Sequence, residues 1–304
     1  MKILTGKELF SEDIVSHEIR LDRFLRKKYP QIKLASIYKL IRKGWVRVNG
    51  KRKYNPSLRL KKGDRVRVAY TGEIDHMLRT FENKATPKYM KLHIVYENEK
   101  IVVLNKQPGV SVHPGGGVSA TTLVEGLMYY GERKGFQPYL VHRLDRETSG
   151  VLIVAKDPET AKKLSFLFSH HMVKKEYVSL IKGHLKDEIE ISQPIEGREA
   201  KTWFKPMRYF RKADATLVTV NIKTGRKHQI RRHAAFMDHP VVMDDLYGDR
   251  EYNRRFRKLY GLNRLFLHCR CISFDDIPDI DKKVFEVPLP EDLMRILEIL
   301  GEER

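Results

Sequence analysis

The chain has 304 residues, 41% of them hydrophobic and 10% aromatic, which is enough to fill a core and excludes an intrinsically disordered protein. Lys and Arg number 59 against 39 acidic residues, and this net charge of +20 favours a polyanionic partner. Two cysteines are too few for a disulfide framework. The sequence has no apolar N-terminal segment and no run of eighteen apolar residues, so we expect a cytoplasmic protein without a signal peptide or membrane span.

The positive charge is concentrated near the N-terminus. Residues 14–70 contain 18 Lys or Arg and three Asp or Glu, a net charge of +15, whereas the rest of the chain contributes only +5. A basic surface can simply be a solvated one. Such a concentration in one short segment nevertheless favours a surface that binds the phosphates of a nucleic acid.

The pattern of this basic segment predicts a small domain with two short helices followed by strands. Apolar residues recur at near-helical spacing in 19–25 and again in 37–41, and Gly44 is placed to end the second helix. The alternating sequence WVRVNG ends on Asn49-Gly50, a strong hairpin signal, and DRVRVAY predicts a last strand.

Residues 17–70 resemble a small RNA-binding domain first described in a ribosomal small-subunit protein (the S-four type). The resemblance rests on LDRFLRKK, IYKLIRKGWVRVNG and LKKGDRV. It implies that basic side chains gather on one face and follow an RNA backbone, although solvated helix faces remain the alternative. The candidate RNA-binding residues are Arg23, Lys39, Arg42, Lys43, Arg47 and Lys51.

The sequence predicts an α+β organisation with domains at 1–70 and 91–304, joined by a linker at 71–90 that lacks a sustained period. After residue 91, strand-like runs such as IVVLNK and ATLVTVNI alternate with helix-like runs such as PETAKKLSFLFS. Several consecutive strands fall between 173 and 224 without an intervening helix. This order favours a mixed, largely antiparallel sheet flanked by helices over a doubly wound one.

A polar cluster lies between two apolar runs in YLVHRLDRETSGVLIVAK, residues 139–156. Arg143 and Arg146 flank Asp145, and nearby positive charge favours an ionised carboxylate, which is a poor proton donor but a ready nucleophile or base. Gly150, at the start of the next strand, would let the backbone turn sharply. From these residues alone, a structural Arg–Asp cluster that caps a strand is the favoured interpretation.

HRLDRETSG resembles the signature of the RluA family of pseudouridine synthases, in which the aspartate is catalytic. Three further motifs follow the family's order: NEKIVVLNKQPGVSVHPG (98–115), KKEYVSLIKG (174–183) and TGRKHQIRRH (224–233). Gln107 separates the lysine of the first motif from Pro108, where the family commonly has no intervening residue, so we expect a local change in that loop. HPVVMDDLYGDREYNRRF and GLNRLFLH resemble the RluC subgroup, which modifies large-subunit ribosomal RNA.

The resemblance implies an isomerase that converts uridine in RNA to pseudouridine and needs no cofactor. The base–sugar bond breaks, the uracil rotates, and the base rejoins the sugar through a ring carbon. Sugar chemistry usually uses two carboxylates, but uracil delocalises its own negative charge, so one can suffice. Asp145 would either attack the anomeric carbon or remove a ribose proton.

The family match also implies roles for other residues. Arg231 would pair with Asp145, and Tyr177 would stack on the uracil and relay a proton; a phosphate contact and a core tyrosine are the respective structural alternatives. The target base must leave its stack to be reached. The expected substrate contacts are Ile230, as an apolar wall, Arg143, beside the flipped nucleotide, and His142 and Arg226.

Other functions are less consistent with the sequence. His228 and His233 are five residues apart, which does not suit two metal ligands on one helix face, so we expect no metal site there. Cys269 and Cys271 lack a second pair for zinc and are expected in the core. A non-catalytic RNA-binding or ribosome-assembly factor explains the charge but not the Asp–Tyr–Arg set, and an RNA glycosidase would release free base. Nothing in the sequence demands a dimer, and we expect a monomer.

Overall fold

The computed structural model describes residues 9–29, 34–70, 86–112, 121–274, 280 and 282–302. The chain divides into two compact units, residues 1–84 and 85–304. Most of the predicted linker, residues 71–85, lies outside the described ranges. The bounds 1–70, 71–90 and 91–304 therefore stay a prediction.

The N-terminal unit combines two helices with short antiparallel strands. Its strands are β1 (Leu9–Ile14), β2 (Ile19–Arg20), β3 (Val46–Val48), β4 (Lys51–Arg52), β5 (Arg59–Leu60) and β6 (Arg65–Tyr70), and its helices are α1 (Leu21–Lys28) and α2 (Leu34–Arg42). The strands form a four-stranded sheet in the order β1-β6-β3-β4 and a β2-β5 pair. Leu21 and Leu25 of α1 meet Ile37 and Ile41 of α2 in one core, as their helical spacing predicts.

The hairpin predicted at Asn49-Gly50 is confirmed. β3 and β4 pair antiparallel on either side of it, and Asn49 and Gly50 have φ angles of 51° and 78°. A two-residue turn with both central residues in the left-handed region matches the twist of the flanking strands, and Asn and Gly tolerate that region best. The local sequence alone therefore sets this turn.

The second unit contains one large sheet with helices packed against it. Its strands are β7 (Ile94–Glu97), β8 (Ile101–Lys106), β9 (Tyr139–Leu140), β10 (Ser149–Ala155), β11 (Val173–Lys182), β12 (Ile189–Ile191), β13 (Thr202–Phe210), β14 (Ala215–Ile222), β15 (Leu267–Phe274) and β16 (Val284–Glu286). Its helices are α3 (Leu123–Lys134), α4 (Pro158–Ser169), α5 (Gln229–Phe236), α6 (Arg250–Tyr260) and α7 (Glu291–Glu302).

The strand order of this sheet is β12-β13-β14-β11-β15-β10-β8-β7, with β16 beside β15 and β9 beside β10. Among the strand pairs that the structure describes, only β10 and β15 run parallel. The predicted mixed, largely antiparallel sheet is thus confirmed. No helix within the described ranges is both long and apolar enough to cross a membrane.

Two helices differ from what the sequence pattern alone suggests. α5 begins at Gln229, because His228 takes a φ of 54° and stands outside the helix. The sequence analysis did not single out α6, whose Tyr252 and Phe256 are buried.

The loop before β10 is held by close packing of that strand against β15. Gly150 has a φ of 121°, and a Cβ there would overlap the backbone carbonyl of Cys269. Only glycine therefore permits this approach, as the sharp turn expected from the sequence requires. The polar loop that ends at Ser149 is in this way fixed against the middle of the sheet.

Candidate active site

A cavity of about 290 Å³ lies beside the loop that precedes β10. It brings together six of the residues predicted from the sequence: Arg143, Asp145, Tyr177, Arg226, Ile230 and Arg231. They come from three separate segments of the chain: the loop before β10, strand β11, and the start of α5 with the turn before it. The sheet topology therefore assembles the candidate set that the motifs indicated.

Asp145 lies in this loop with its carboxylate at the cavity. Its side chain is 18% exposed, and its Oδ1 lies 3.9 Å from Nε2 of His228. The backbone carbonyl of Asp145 accepts a hydrogen bond from the N–H of Thr148 at 3.2 Å, which closes the turn. A carboxylate that is sheltered but open to the cavity can reach a bound substrate as a nucleophile or a base.

Lys106, at the end of β8, is a residue that sequence reasoning missed. Its ammonium is buried and donates to the carbonyls of Gln107 and Arg146, at 2.9 and 3.0 Å. Burial lowers the pKa of Lys106 to about 7, although Glu147 and Asp145 favour its charged form. Lys106 therefore ties the loop that carries Asp145 to the first motif. The last residues of that motif, 113–115, lie outside the described ranges.

Arg231 does not make the direct pair with Asp145 that the sequence analysis expected. Its Nε and Nη2 donate to Oδ2 and Oδ1 of Asp244, each at 2.6 Å, and Asp244 is fully buried. Among the described residues, no ion pair joins Arg231 to Asp145, although the charge of Asp145 helps to raise the pKa of Arg231. In this structure Arg231 therefore pairs with Asp244 and not with Asp145, which corrects the expected contact.

Asp244 is held by its own surroundings. Its Oδ1 also accepts from the backbone N–H groups of Leu246 and Tyr247, at 2.9 and 3.0 Å. Burial would raise the pKa of Asp244, but these bonds and Arg231 outweigh it and keep the pKa below its ordinary value. The sequence analysis used the segment that contains Asp244 for the resemblance to the RluC subgroup, and no spacing signal linked it to Arg231.

Tyr247 and His228 lie behind the cavity lining, next to Arg231 and Asp145. The Tyr247 ring lies 5.3 Å from the Arg231 guanidinium, and its hydroxyl accepts from Nε of Arg232 at 3.0 Å. Nδ1 of His228 lies 3.1 Å from that hydroxyl. Burial lowers the pKa of His228, whereas the charge of Asp145 acts in the opposite direction. The turn before α5 thus presents an imidazole, rather than a second carboxylate, to Asp145.

Tyr177 projects from β11 into the cavity and is 7% exposed. Burial raises the pKa of its phenol well above the ordinary value, and Cys269 and Asp145 raise it further. The phenol therefore stays protonated near neutral pH, so it can donate a hydrogen bond but is a poor base. Its ring forms an apolar wall together with Ile230, as the sequence analysis expected.

The predicted substrate contact of His142 is not supported by its position. Its Nε2 accepts a hydrogen bond from the backbone N–H of Ile153 at 2.9 Å, and its ring stacks on Phe168 at 4.5 Å. Burial lowers the pKa of His142 to about 3, so the ring is neutral. It is absent from the cavity lining. His142 therefore braces β10 from within the fold, which corrects the expectation that it touches substrate.

Two other predicted contacts lie at the rim of the cavity. Arg143 is exposed there, and Arg226 is half-buried with its Nε donating to the carbonyl of Glu199 at 3.0 Å. Arg198 and Lys227, which the sequence analysis did not single out, line the same cavity. A rim with several cations suits a phosphate-bearing ligand.

The basic residues predicted in the N-terminal unit are accessible for the most part. Arg23, Arg42, Lys43 and Lys51 are exposed, as is Lys39, whereas Arg47 is half-buried on β3. The ammonium of Lys43 lies over the Trp45 ring, 4.9 Å from its centre. Their role in RNA binding stays a prediction.

The histidines that follow His228 in the chain have separate environments. His233 is buried against Thr202 and the carbonyl of Gln193, while Nδ1 of His239 lies 2.8 Å from the carbonyl of Lys182. No group of three or more His, Cys, Asp or Glu side chains placed to hold a metal occurs within the part of the chain that the structure describes. Cys269 is buried and Cys271 half-buried.

Two family models match the chain. The model of the RNA pseudouridylate synthase family matches residues 100–236, and the model of the S4 domain matches residues 19–66. The first range includes the candidate active-site residues from all three segments, and the second lies within the N-terminal unit.

Curated relatives match over nearly the full length. Ribosomal large subunit pseudouridine synthase C of Escherichia coli K12 is 35% identical over 308 aligned residues, which cover 94% of each chain. The protein of the same name from Vibrio cholerae serotype O1 is 36% identical over 294 aligned residues, which cover 89% of each chain.

Solved structures agree with these relatives. Human RNA pseudouridylate synthase domain containing 1 superimposes with a TM-score of 0.52 at 26% identity, over 66% of this chain and 84% of that one. Human RNA pseudouridylate synthase domain containing 4 gives a TM-score of 0.56 at 24% identity, over 69% and 93%, and supports the fold. The near-complete match to curated synthases and the motifs gathered at one cavity establish that this chain belongs to the RNA pseudouridylate synthase family and carries an N-terminal S4 domain.

Proposed function

We propose that this protein isomerises specific uridines of large-subunit ribosomal RNA to pseudouridine, with Asp145 as the catalytic carboxylate. The observation that carries the proposal is the position of Asp145, which shares one cavity with Tyr177, Ile230 and Arg231. The other cavity carboxylate, Glu196, is 66% exposed and paired with Arg232, so it suits the rim rather than the chemistry. The ribosomal substrate is inferred from the names of the curated relatives.

The reaction breaks the bond between the ribose anomeric carbon and N1 of uracil, and it makes a bond from the same carbon to C5. The electron pair of the broken bond passes into the uracil ring and its two carbonyl oxygens. Asp145 either adds to the anomeric carbon or removes the neighbouring ribose proton, and both routes regenerate the carboxylate. The proton displaced from C5 finally appears on N1, so the reaction is balanced without a cofactor.

Each neighbour of Asp145 has a role that its position supports. Arg231, fixed by Asp244, would place positive charge near Asp145 and the anion that forms on the uracil. Tyr177 and Ile230 would hold the flipped base between apolar surfaces, and the protonated Tyr177 hydroxyl could donate to it. Arg143 at the rim would contact the nucleotide's phosphate or occupy the place that the base has left.

The S4 domain would supply affinity for the ribosomal RNA through its exposed basic side chains. An enzyme acting on ribosomal RNA in a bacterium would work in the cytoplasm. One cavity contains Asp145, Tyr177 and Arg231 within one chain, so we propose that a monomer is sufficient for the reaction.

The proposal is tested by mapping pseudouridine with carbodiimide and primer extension in an unmodified transcript of large-subunit ribosomal RNA. Wild-type protein should create discrete new stops, whereas Asp145→Asn, which keeps the shape of the side chain, should create none. The exposed Asp187→Asn is the matched control and should act as wild type does. Free uracil in place of pseudouridine would indicate a glycosidase, and binding without any product would indicate a non-catalytic RNA-binding factor.

A further inference from the structure

We propose that the exposed face of α6 (Arg250–Tyr260) is a second RNA-binding surface, separate from the S4 domain, that contacts the phosphate backbone of the substrate RNA. This inference rests on the proposed function to the extent that it takes ribosomal RNA as the ligand. None of the residues singled out in the basic N-terminal segment contributes to it.

α6 has one buried apolar face and one exposed, positively charged face. Tyr252 and Phe256 are buried in a core that includes Phe266 and Leu293. The opposite face exposes five cations, Arg250, Arg254, Arg255, Arg257 and Lys258, against one acid in the helix, Glu251. Residues 250–260 thus carry a net charge of +4.

Within the described residues, none of these five cations forms an ion pair. Arginines on the neighbouring elements are paired: Arg264 with Asp292, and Arg270 with Glu286. Asp249 at the start of α6 is already bound by Lys182, at 2.6 Å. Acidic partners therefore neutralise Arg264 and Arg270, whereas the exposed face of α6 stays positively charged.

The cations on α6 are not explained by the stability of the helix. The partial negative charge at a helix C-terminus favours Arg257 and Lys258, but the opposite sign at the N-terminus disfavours Arg250. Arg250 and Arg254 are four residues apart on the same face, where like charges repel. A feature that opposes local stability is expected where function requires it.

The helix is attached rigidly to the candidate active site. Asn253 in its first turn donates to the backbone carbonyl of Asp244, at 3.0 Å, and accepts from the N–H of Met243 at 2.9 Å. Asp244 in turn holds Arg231 at the cavity. The exposed cations of α6 therefore keep a fixed position relative to Arg231.

A phosphate backbone is the ligand that fits these groups. Arginine presents a planar fork of donors that matches phosphate oxygens, and contacts with phosphate carry no sequence information. A groove of about 500 Å³ runs beside the helix, and its lining includes Arg254, Arg255 and Lys258, the Lys182–Asp249 pair and Glu251. Its cations are spread along the helix rather than gathered at one point, which suits an extended chain of phosphates.

The test uses full-length protein and an unmodified transcript of large-subunit ribosomal RNA, with Kd measured across a salt series. Arg250→Gln/Arg254→Gln should weaken binding about tenfold and reduce the slope of log Kd against log salt by about 2, because two fewer phosphates are neutralised. In the modification assay the weaker binding should appear as a higher KM. Because a like-charge pair is removed, Tm should not fall.

The matched control is Arg133→Gln/Lys162→Gln, which removes the same charge from exposed positions of α3 and α4. It should leave both Kd and the salt slope as in wild type. An unchanged slope for the α6 variant, an equal effect of the control, or a loss of binding that follows a lowered Tm would each overturn the proposal. If the wild-type protein makes no pseudouridine, the proposed function fails, yet the comparison of salt slopes still decides whether α6 binds RNA.

Discussion

Arg231 and Asp244 form a buried bidentate ion pair at the wall of the cavity that contains Asp145. Burial alone would lower the pKa of Arg231, but the hydrogen bonds and charge of Asp244 outweigh it and raise the pKa above its ordinary value. The guanidinium is therefore always charged and cannot rotate freely. Asp145 lies in the field of a fixed cation while its own oxygens stay available to a substrate.

We expect Asp244→Ala to destabilise the protein by about 3–5 kcal/mol, because it leaves a buried guanidinium without a partner. Asp244→Asn keeps one acceptor and should cost less stability while still lowering kcat, since Arg231 loses its bidentate anchor. Urea unfolding and single-turnover kinetics measure the two effects. The exposed neighbour Asp245→Asn serves as the control, and wild-type kcat in a folded Asp244→Asn protein would show that the anchor is dispensable.

Tyr177→Phe separates the ring of this residue from its hydroxyl. The apolar wall remains, so KM should change less than about threefold, while the loss of proton transfer should lower kcat by about 10²–10⁴. Tyr177→Leu should impair both constants. Tyr130→Phe, which removes a hydroxyl bonded to Glu97 away from the cavity, is the control. If Tyr177→Phe turns over as wild type does, the residue stacks on the base but moves no proton.

His268 should make the protein less stable in mild acid. Its buried ring lies 2.9 Å from the hydroxyl of Ser149, and burial lowers its pKa from 6.5 to about 4. Between pH 6.5 and 4 the His268 imidazole is protonated in the unfolded chain but neutral in the folded protein. The free energy of unfolding therefore falls by roughly 3 kcal/mol over this range.

Urea unfolding at intervals across this pH range measures the effect of His268. His268→Gln removes the titrating group and retains a polar side chain. The slope of its unfolding free energy against pH should therefore be smaller than that of wild type by the equivalent of about one bound proton. Identical pH slopes for the two proteins would assign the acid sensitivity to other groups.

The S4 domain should account for most of the salt dependence of RNA binding. Deleting residues 1–70 should weaken binding and flatten its salt dependence, because the segment carries most of the net positive charge. Replacing the six candidate residues with Gln in the full-length chain should have the same effect without removing a domain. An unchanged salt slope in both variants would mean that the affinity comes from the second unit.

Local sequence was sufficient where the relevant interactions are short-range. The Asn49-Gly50 hairpin follows from two residues that accept positive φ, and the loop with Asp145 follows from a contiguous motif that ends at Gly150. Net charge also follows from composition, which is why the basic N-terminal segment could be identified without a structure. The sequence analysis did not single out α6, although its buried Tyr252 and Phe256 are four residues apart, as one helix face requires.

Tertiary structure decided which partner each side chain takes. The family motifs predicted that Arg231 pairs with Asp145. Sequence spacing could not show that Arg231 pairs instead with Asp244, thirteen residues further along. His142 is next to Arg143 in the chain, yet one faces Phe168 inside the fold and the other the cavity. A buried polar group binds whichever acceptor or donor the packing brings close, and that choice depends on strands and helices far apart in sequence. The sequence by itself thus determined the family, the basic segment and the catalytic candidate, while the fold determined how that candidate is held.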